Sequence, residues 1–89
     1  MKASFEISLY PLSDDFRSRV EEFILRLRKY NDIEIITNGM SSQIFGEFET
    51  VMEILKSELG RELAAQSSIA VMKIGAGKLT ADTIPNTLK

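Results

Sequence analysis

The 89-residue sequence predicts an α+β domain in which strands and helices follow the order β-α-β-β-α-β. Three observations carry that expectation. The stretch "SFEISLY", Ser4 to Tyr10, alternates apolar and polar residues with period two. Phe16, Val20, Phe23, Ile24 and Leu27 fall on one stripe of a helical period. Finally, "TNGMSSQIFGEFETVM", Thr37 to Met52, places a turn dipeptide, a short strand and a helix start in one block.

In chain order, the first strand sets Phe5, Ile7 and Leu9 on one face and Ser4, Glu6, Ser8 and Tyr10 on the other. "PLSDD" ends it, because Pro11 cannot donate to a ladder and Ser13 or Asp14 can accept from the free N–H groups of a first helical turn. A helix is expected from about residue 15 to 30, with Arg17, Arg19, Glu21, Arg26 and Arg28 on its polar side and the cationic "RLRK" near the negative end of its dipole. "YND" then turns the chain into "IEIIT", a short strand of β-branched residues. Asn38-Gly39 stops it and signals a tight turn with positive φ.

The return strand is "SSQIFGEF". Ser42, Ile44 and Gly46 share one of its faces and Ser41, Gln43 and Phe45 the other, so either Ile44 or Phe45 faces the helices. Ile44 is preferred, with Gly46 letting a helix approach closely. Val51, Ile54, Leu55, Leu59 and Leu63 mark a second helix from about Phe48 to Ala65, in which an interior Gly60 costs roughly 1 kcal/mol or marks a break. "SSIAVMKI", Ser67 to Ile74, is the last strand. Residues 1–75 form the domain, and the aperiodic tail 76–89 is expected either to lie against a neighbouring subunit or to fray. Two helices with one apolar stripe each must cover one face of a four-stranded antiparallel sheet, the ferredoxin-like plan.

Composition narrows the chemistry. The chain is 44% hydrophobic and 27% charged, ordinary for a folded globular protein. It has no cysteine and no histidine, which removes thiol chemistry, His-based acid-base catalysis and the usual zinc and copper ligands. A net charge of −2 offers no footprint for nucleic acid or an anionic membrane surface, so neither is an expected partner. "MKASFEISLY" has no apolar block of signal-peptide type, and no run is long enough to span a membrane, so a cytoplasmic location is the expectation.

The plan leaves the second face of the sheet open, and it carries Ser4, Glu6, Ser8, Tyr10, Ser41, Gln43 and Phe45. Such mixed polar and aromatic faces commonly pair subunits. Glu6 stands out, since a carboxylate in the middle of a central strand needs a partner or a ligand if it is covered. Asn38 to Gln43 clusters two amides, two hydroxyls and a thioether, a set able to hydrogen-bond the ring nitrogens and exocyclic amine of a small heterocycle. Asn-Gly and serine are also ordinary hairpin residues. Glu47 and Glu49 have no His, Lys or Arg beside them and are better explained by a helix N-terminus than by acid-base chemistry. "GAGK", Gly75 to Lys78, lacks the spacing of a phosphate loop and reads as a turn.

"ISLYPL" together with "TNGMSSQIFGEFETVMEIL" resembles the YkoF-like family of small thiamine-binding proteins, over about residues 4 to 75. The resemblance implies a ferredoxin-like fold, recognition of thiamine or its hydroxymethylpyrimidine moiety, and homo-oligomers, dimers or tetramers, with pockets near subunit contacts. It places Ser8, Asn38, Met40, Ser41, Ser42 and Gln43 in the pocket. Glu6 joins them on physical grounds, as a partner for an aminopyrimidine or a cationic thiazolium. The C-terminal "GAGKLTADT" departs from the family's pattern in being less charged.

The expected function is therefore non-catalytic binding of thiamine or a related pyrimidine, with no cofactor and no residue suited to act as nucleophile or general base. The rivals are an ACT-like regulatory module for another metabolite and a purely structural oligomerisation domain. An acylphosphatase-like activity is disfavoured by the acidic "YPLSDD" where a phosphate loop would lie. RNA binding is disfavoured by the charge.

Overall fold

Strand β1 (Lys2–Pro11) is the centre of the architecture in the computed structural model, which describes residues 1–89. Helix α1 (Phe16–Leu27), strands β2 (Glu34–Thr37) and β3 (Ser42–Glu47), helix α2 (Phe48–Ala65) and strand β4 (Ser68–Ala76) follow it. All pairings are antiparallel and the order is β2-β3-β1-β4. On β1, Phe5 lies between Ile44 and Ile74, and Glu6 lies between Gln43 and Lys73. This is the α+β, ferredoxin-like arrangement that the alternation of elements predicts.

The core follows from period two on β1. Ala3, Phe5, Ile7 and Leu9 are buried beneath the helices with Ile44 of β3, Phe23 and Leu27 of α1, and Val51, Ile54 and Leu55 of α2. Each large side chain removed from water contributes on the order of 1.5–3 kcal/mol. Phe5 and Phe48 stack with ring centroids 6.2 Å apart. Ile44 faces the helices and is fully buried, while Phe45 is 5% exposed on the opposite face, so both rivals for the core are covered. Gly46 serves close approach: a Cβ there would lie 3.1 Å from Val51 Cγ2.

Several local expectations are corrected. Helix α1 stops at Leu27, short of residue 30, and no side chain caps its N-terminus. Asp15 occupies the cap position, but its carboxylate accepts from the Ser13 hydroxyl and from Arg19. Phe16 and Leu63, expected on the apolar stripes, are each 51% exposed. Phe16 is the first residue of its helix. Leu63 turns outward because α2 presents Glu58 and Glu62 to α1. Glu47 and Glu49 do sit at the N-terminus of α2, in the cap position and the first turn, and Glu47 also pairs with Lys2, 3.3 Å away across the strands, and with the Met1 ammonium at 2.9 Å.

The inter-helix contact is an ionic clasp. Arg26 Nε donates to Glu58 Oε1 at 2.8 Å, Arg26 also bonds Glu62 Oε1, and the Tyr30 hydroxyl donates to Glu58 Oε2 at 2.8 Å. Burial pushes the Glu58 carboxyl up, but the bonds from Arg26 and Tyr30 outweigh it and hold the group below its ordinary range. A lowered value means stability present above the unfolded carboxylate pKa and lost as pH falls through the folded one.

The first residues of the tail, Gly77 to Ala81, lie against the sheet of their own chain, while residues 82–89 are exposed. Gly77, with φ of +79°, turns the chain after β4 so that it lies on the open face of its own sheet. "GAGK" is thus the end of a strand plus this turn. Residue 77 donates its N–H to the Lys2 carbonyl at 2.9 Å.

Two outcomes are expected. Arg26→Met strands two buried carboxylates and should lower the unfolding free energy in urea by about 3–5 kcal/mol; in the wild type the urea midpoint should fall as pH drops below about 4.5, and less so in Glu58→Gln. Helix α2 runs unbroken through Gly60, whose added Cβ would meet nothing within 4 Å; Gly60→Ala should therefore stabilise by about 0.5–1 kcal/mol in the same assay.

Candidate ligand site

The loop between β2 and β3 divides the expected binding residues between two cavities. Gly39 does not adopt positive φ, contrary to the tight turn expected of Asn-Gly. The connection is longer and is closed by Asn38, whose Oδ1 accepts from the N–H groups of Met40 at 2.8 Å and Ser41 at 3.2 Å. Its backbone N–H donates to the Ser41 carbonyl at 3.0 Å. An Asx-type turn of this kind uses the side chain of Asn38 in place of a left-handed glycine.

On the helix side of the loop is a small pocket of about 160 Å³, floored by Leu9, Val20 and Phe23. Ser8, Asn38, Met40, Ser41 and Ser42 all line it. The polar groups there are largely committed to the hairpin. Ser42 faces the helices, is 4% exposed, and shares a 3.0 Å hydrogen bond with Thr37 Oγ1. The Ser8 hydroxyl points to the Met40 carbonyl at 3.5 Å, and Met40 itself is 87% exposed at the loop tip.

On the open face is a groove of about 600 Å³, within the usual range for ligand pockets. Glu6, Asn38 and Gln43 line it together with Phe45, Lys73 and residues of the folded-back tail. Glu6 is held from two sides: the Ser41 hydroxyl donates to Oε2 at 3.1 Å, and Lys73 Nζ lies 3.7 Å from Oε1. Its side chain stays 41% exposed, and the carboxylate keeps acceptor capacity toward the groove. Gln43 stands directly across the ladder and can both donate and accept. No group of three or more His, Cys, Asp or Glu is placed to hold a metal ion.

Thus Glu6 and Gln43 come together, Asn38 borders both cavities, and Ser8, Met40 and Ser42 belong to the hairpin pocket; Ser41 links the two through its bond to Glu6. Sequence reading missed Lys73, Ser4 and the tail. The alternation of the last strand puts Lys73 on one face, but its place beside Glu6 depends on the register of β1 with β4.

No family model matches the chain, and no curated protein matches it. Among solved structures, a Streptococcus pneumoniae protein, SP2199, superposes with a TM-score of 0.80 at 25% identity, covering 92% of this chain and 93% of that one. A Thermotoga maritima protein, provisionally described as a thiamine biosynthesis/salvage protein, gives 0.77 at 17% identity, with 92% of each chain covered. A Bacillus cereus domain of unknown function, DUF77, gives 0.73 at 18% identity, covering 92% of this chain and 85% of that one. At such identities the likeness is one of fold.

Two substitutions separate the roles of Asn38 and Gly39 in this loop. Asn38→Ala removes both side-chain acceptor bonds and should cost about 1 kcal/mol. Gly39→Ala should be neutral or slightly stabilising, because φ is not positive and a Cβ would meet nothing within 4 Å. Urea denaturation of the two variants measures both.

Proposed function

We propose that this protein is a non-catalytic, cytoplasmic binding protein for thiamine or its hydroxymethylpyrimidine moiety, with the ligand seated in the groove on the open face of the sheet. The observation that carries this reading is the half-exposed Glu6 carboxylate, steadied by Ser41 and Lys73 and faced by the Gln43 amide. A carboxylate beside an amide can accept from an exocyclic amine and complete the hydrogen bonding of a ring nitrogen. A cationic ring is also favoured near Glu6. The resemblance in sequence and the thiamine-related structural neighbour point the same way. The smaller pocket is a less suitable seat, since its volume is about 160 Å³ and its serine hydroxyls are already engaged, with Met40, Glu6 and Thr37.

Self-association belongs to the same reading. Strand β4 is a nine-residue sheet edge with Ile69, Val71, Met72 and Ile74 exposed on its two faces. Apolar residues on both sides suit a strand covered on both sides, and a long unprotected edge favours pairing with another strand. Dimers or tetramers are expected, and light scattering in the titration buffer measures them.

Calorimetric titration with thiamine and with the free hydroxymethylpyrimidine should give saturable heat, while amino acids, the ligands of the ACT-like alternative, should give none. Glu6→Gln should weaken thiamine binding by about ten- to a hundredfold, the loss of a charge-assisted bond. Absence of heat with wild-type protein at millimolar thiamine would remove the proposal and favour a structural oligomerisation domain.

A further inference from the structure

The groove owes its concavity to the tail. An exposed sheet face is close to flat, yet Leu79, Thr80 and Ala81 stand along one side of Glu6 and Gln43 as a wall. Two residues of the sheet, and the glycine just after β4, make that position possible. Ser4 donates its hydroxyl to the Gly77 carbonyl at 2.6 Å and accepts the Leu79 N–H at 2.7 Å, so one hydroxyl closes both bonds of the turn. Gly75, opposite Ser4 in the ladder, leaves room for Leu79: a Cβ there would lie 2.5 Å from Leu79 Cδ1. Gly77 supplies the positive φ that reverses the chain.

The remaining contacts are weaker. Lys78 pairs with Glu34 at 2.8 Å, but the two side chains are 57% and 51% exposed, and such pairs contribute little. Lys78 also lies over the Phe45 ring, 5.6 Å from its centroid, at an exposed site. Ser4 is 8% exposed, so its bonds are shielded from water.

We propose that the segment from Gly77 to Ala81 is a fixed wall of the binding groove, and that Ser4 is the positioning residue that pins it through the Gly77 carbonyl and the Leu79 N–H. The proposal rests on the ligand reading above. Ser4 borders the groove, but its hydroxyl proton is given to the Gly77 carbonyl and its oxygen accepts the Leu79 N–H, so it acts through the tail. It holds the wall against which the ligand is fitted, and its loss acts on affinity through the tail.

The test combines hydrogen exchange at the Leu79 amide, read by NMR without ligand, with calorimetric titration of thiamine into the same full-length samples. Ser4→Ala should speed exchange at Leu79 by about tenfold and weaken thiamine binding by a similar factor, leaving the amides of β1 and β3 protected. Ser4→Thr, which keeps the hydroxyl, should restore both. Leu79→Ala removes the wall's apolar anchor without touching the central strand, and it too should weaken thiamine. Equal Leu79 exchange in wild type and Ser4→Ala would overturn the pinning. Faster exchange with unchanged thiamine affinity would overturn the wall. Faster Leu79 exchange in Ser4→Ala than in wild type, with no thiamine heat from the wild type, would support pinning by Ser4 and place the failure in the ligand reading.

Discussion

The pairing of β1 on both of its edges is the constraint from which the rest of the structure follows. Once β3 lies on one side and β4 on the other, each residue of β1 has two cross-strand neighbours and one assigned face. Phe5 must then share the helix side with Ile44 and Ile74, and Glu6 must share the open side with Gln43 and Lys73. A shift of one residue would bury Glu6 among the helices and bring Phe5 into solvent, at a cost no local contact could offset. Register is therefore the means by which an apolar core specifies the polar groups of a site it does not touch.

The two helices solve a different problem. Their apolar stripes cover the sheet, but where α1 and α2 face each other they use Arg26, Glu58, Glu62 and Tyr30. An ion pair this well shielded is poor evidence for net stabilisation, since desolvation opposes the Coulombic gain. Its value lies in orientation. A bidentate guanidinium bridging successive turns of α2 admits one rotation of that helix, and that rotation is what turns Leu63 away from the core.

The open face is treated unequally along its length. One end is covered by the protein's own tail, which buries Phe45 and Ser4 and creates a concave site beside Glu6. The other end keeps Tyr10, Ile69 and Val71 exposed. A sheet that paired its whole open face with another subunit would have no room for the folded tail. The self-association proposed above would therefore use the β4 edge and the uncovered end, and would leave the groove accessible.

Most of the fold was legible locally, because period two in β1, the helical stripes and the Phe48 helix start are written in adjacent residues. The site was legible only in part. Glu6 and Gln43 could be assigned to the open face from alternation, and Asn38 to a turn from its chemistry. That Asn38 closes the loop through its side chain, while Gly39 keeps an ordinary φ, required the backbone. Burial of Glu58 and Glu62 could not be read from a stripe of hydrophobic residues, since it depends on an arginine 32 and 36 residues away. By itself the sequence determined which residues could share a face, since side-chain direction repeats every two or every three to four positions. Only the tertiary structure decided that Lys73 meets Glu6 and that Ser4 meets Leu79, because contacts between distant segments depend on strand register and on one left-handed glycine.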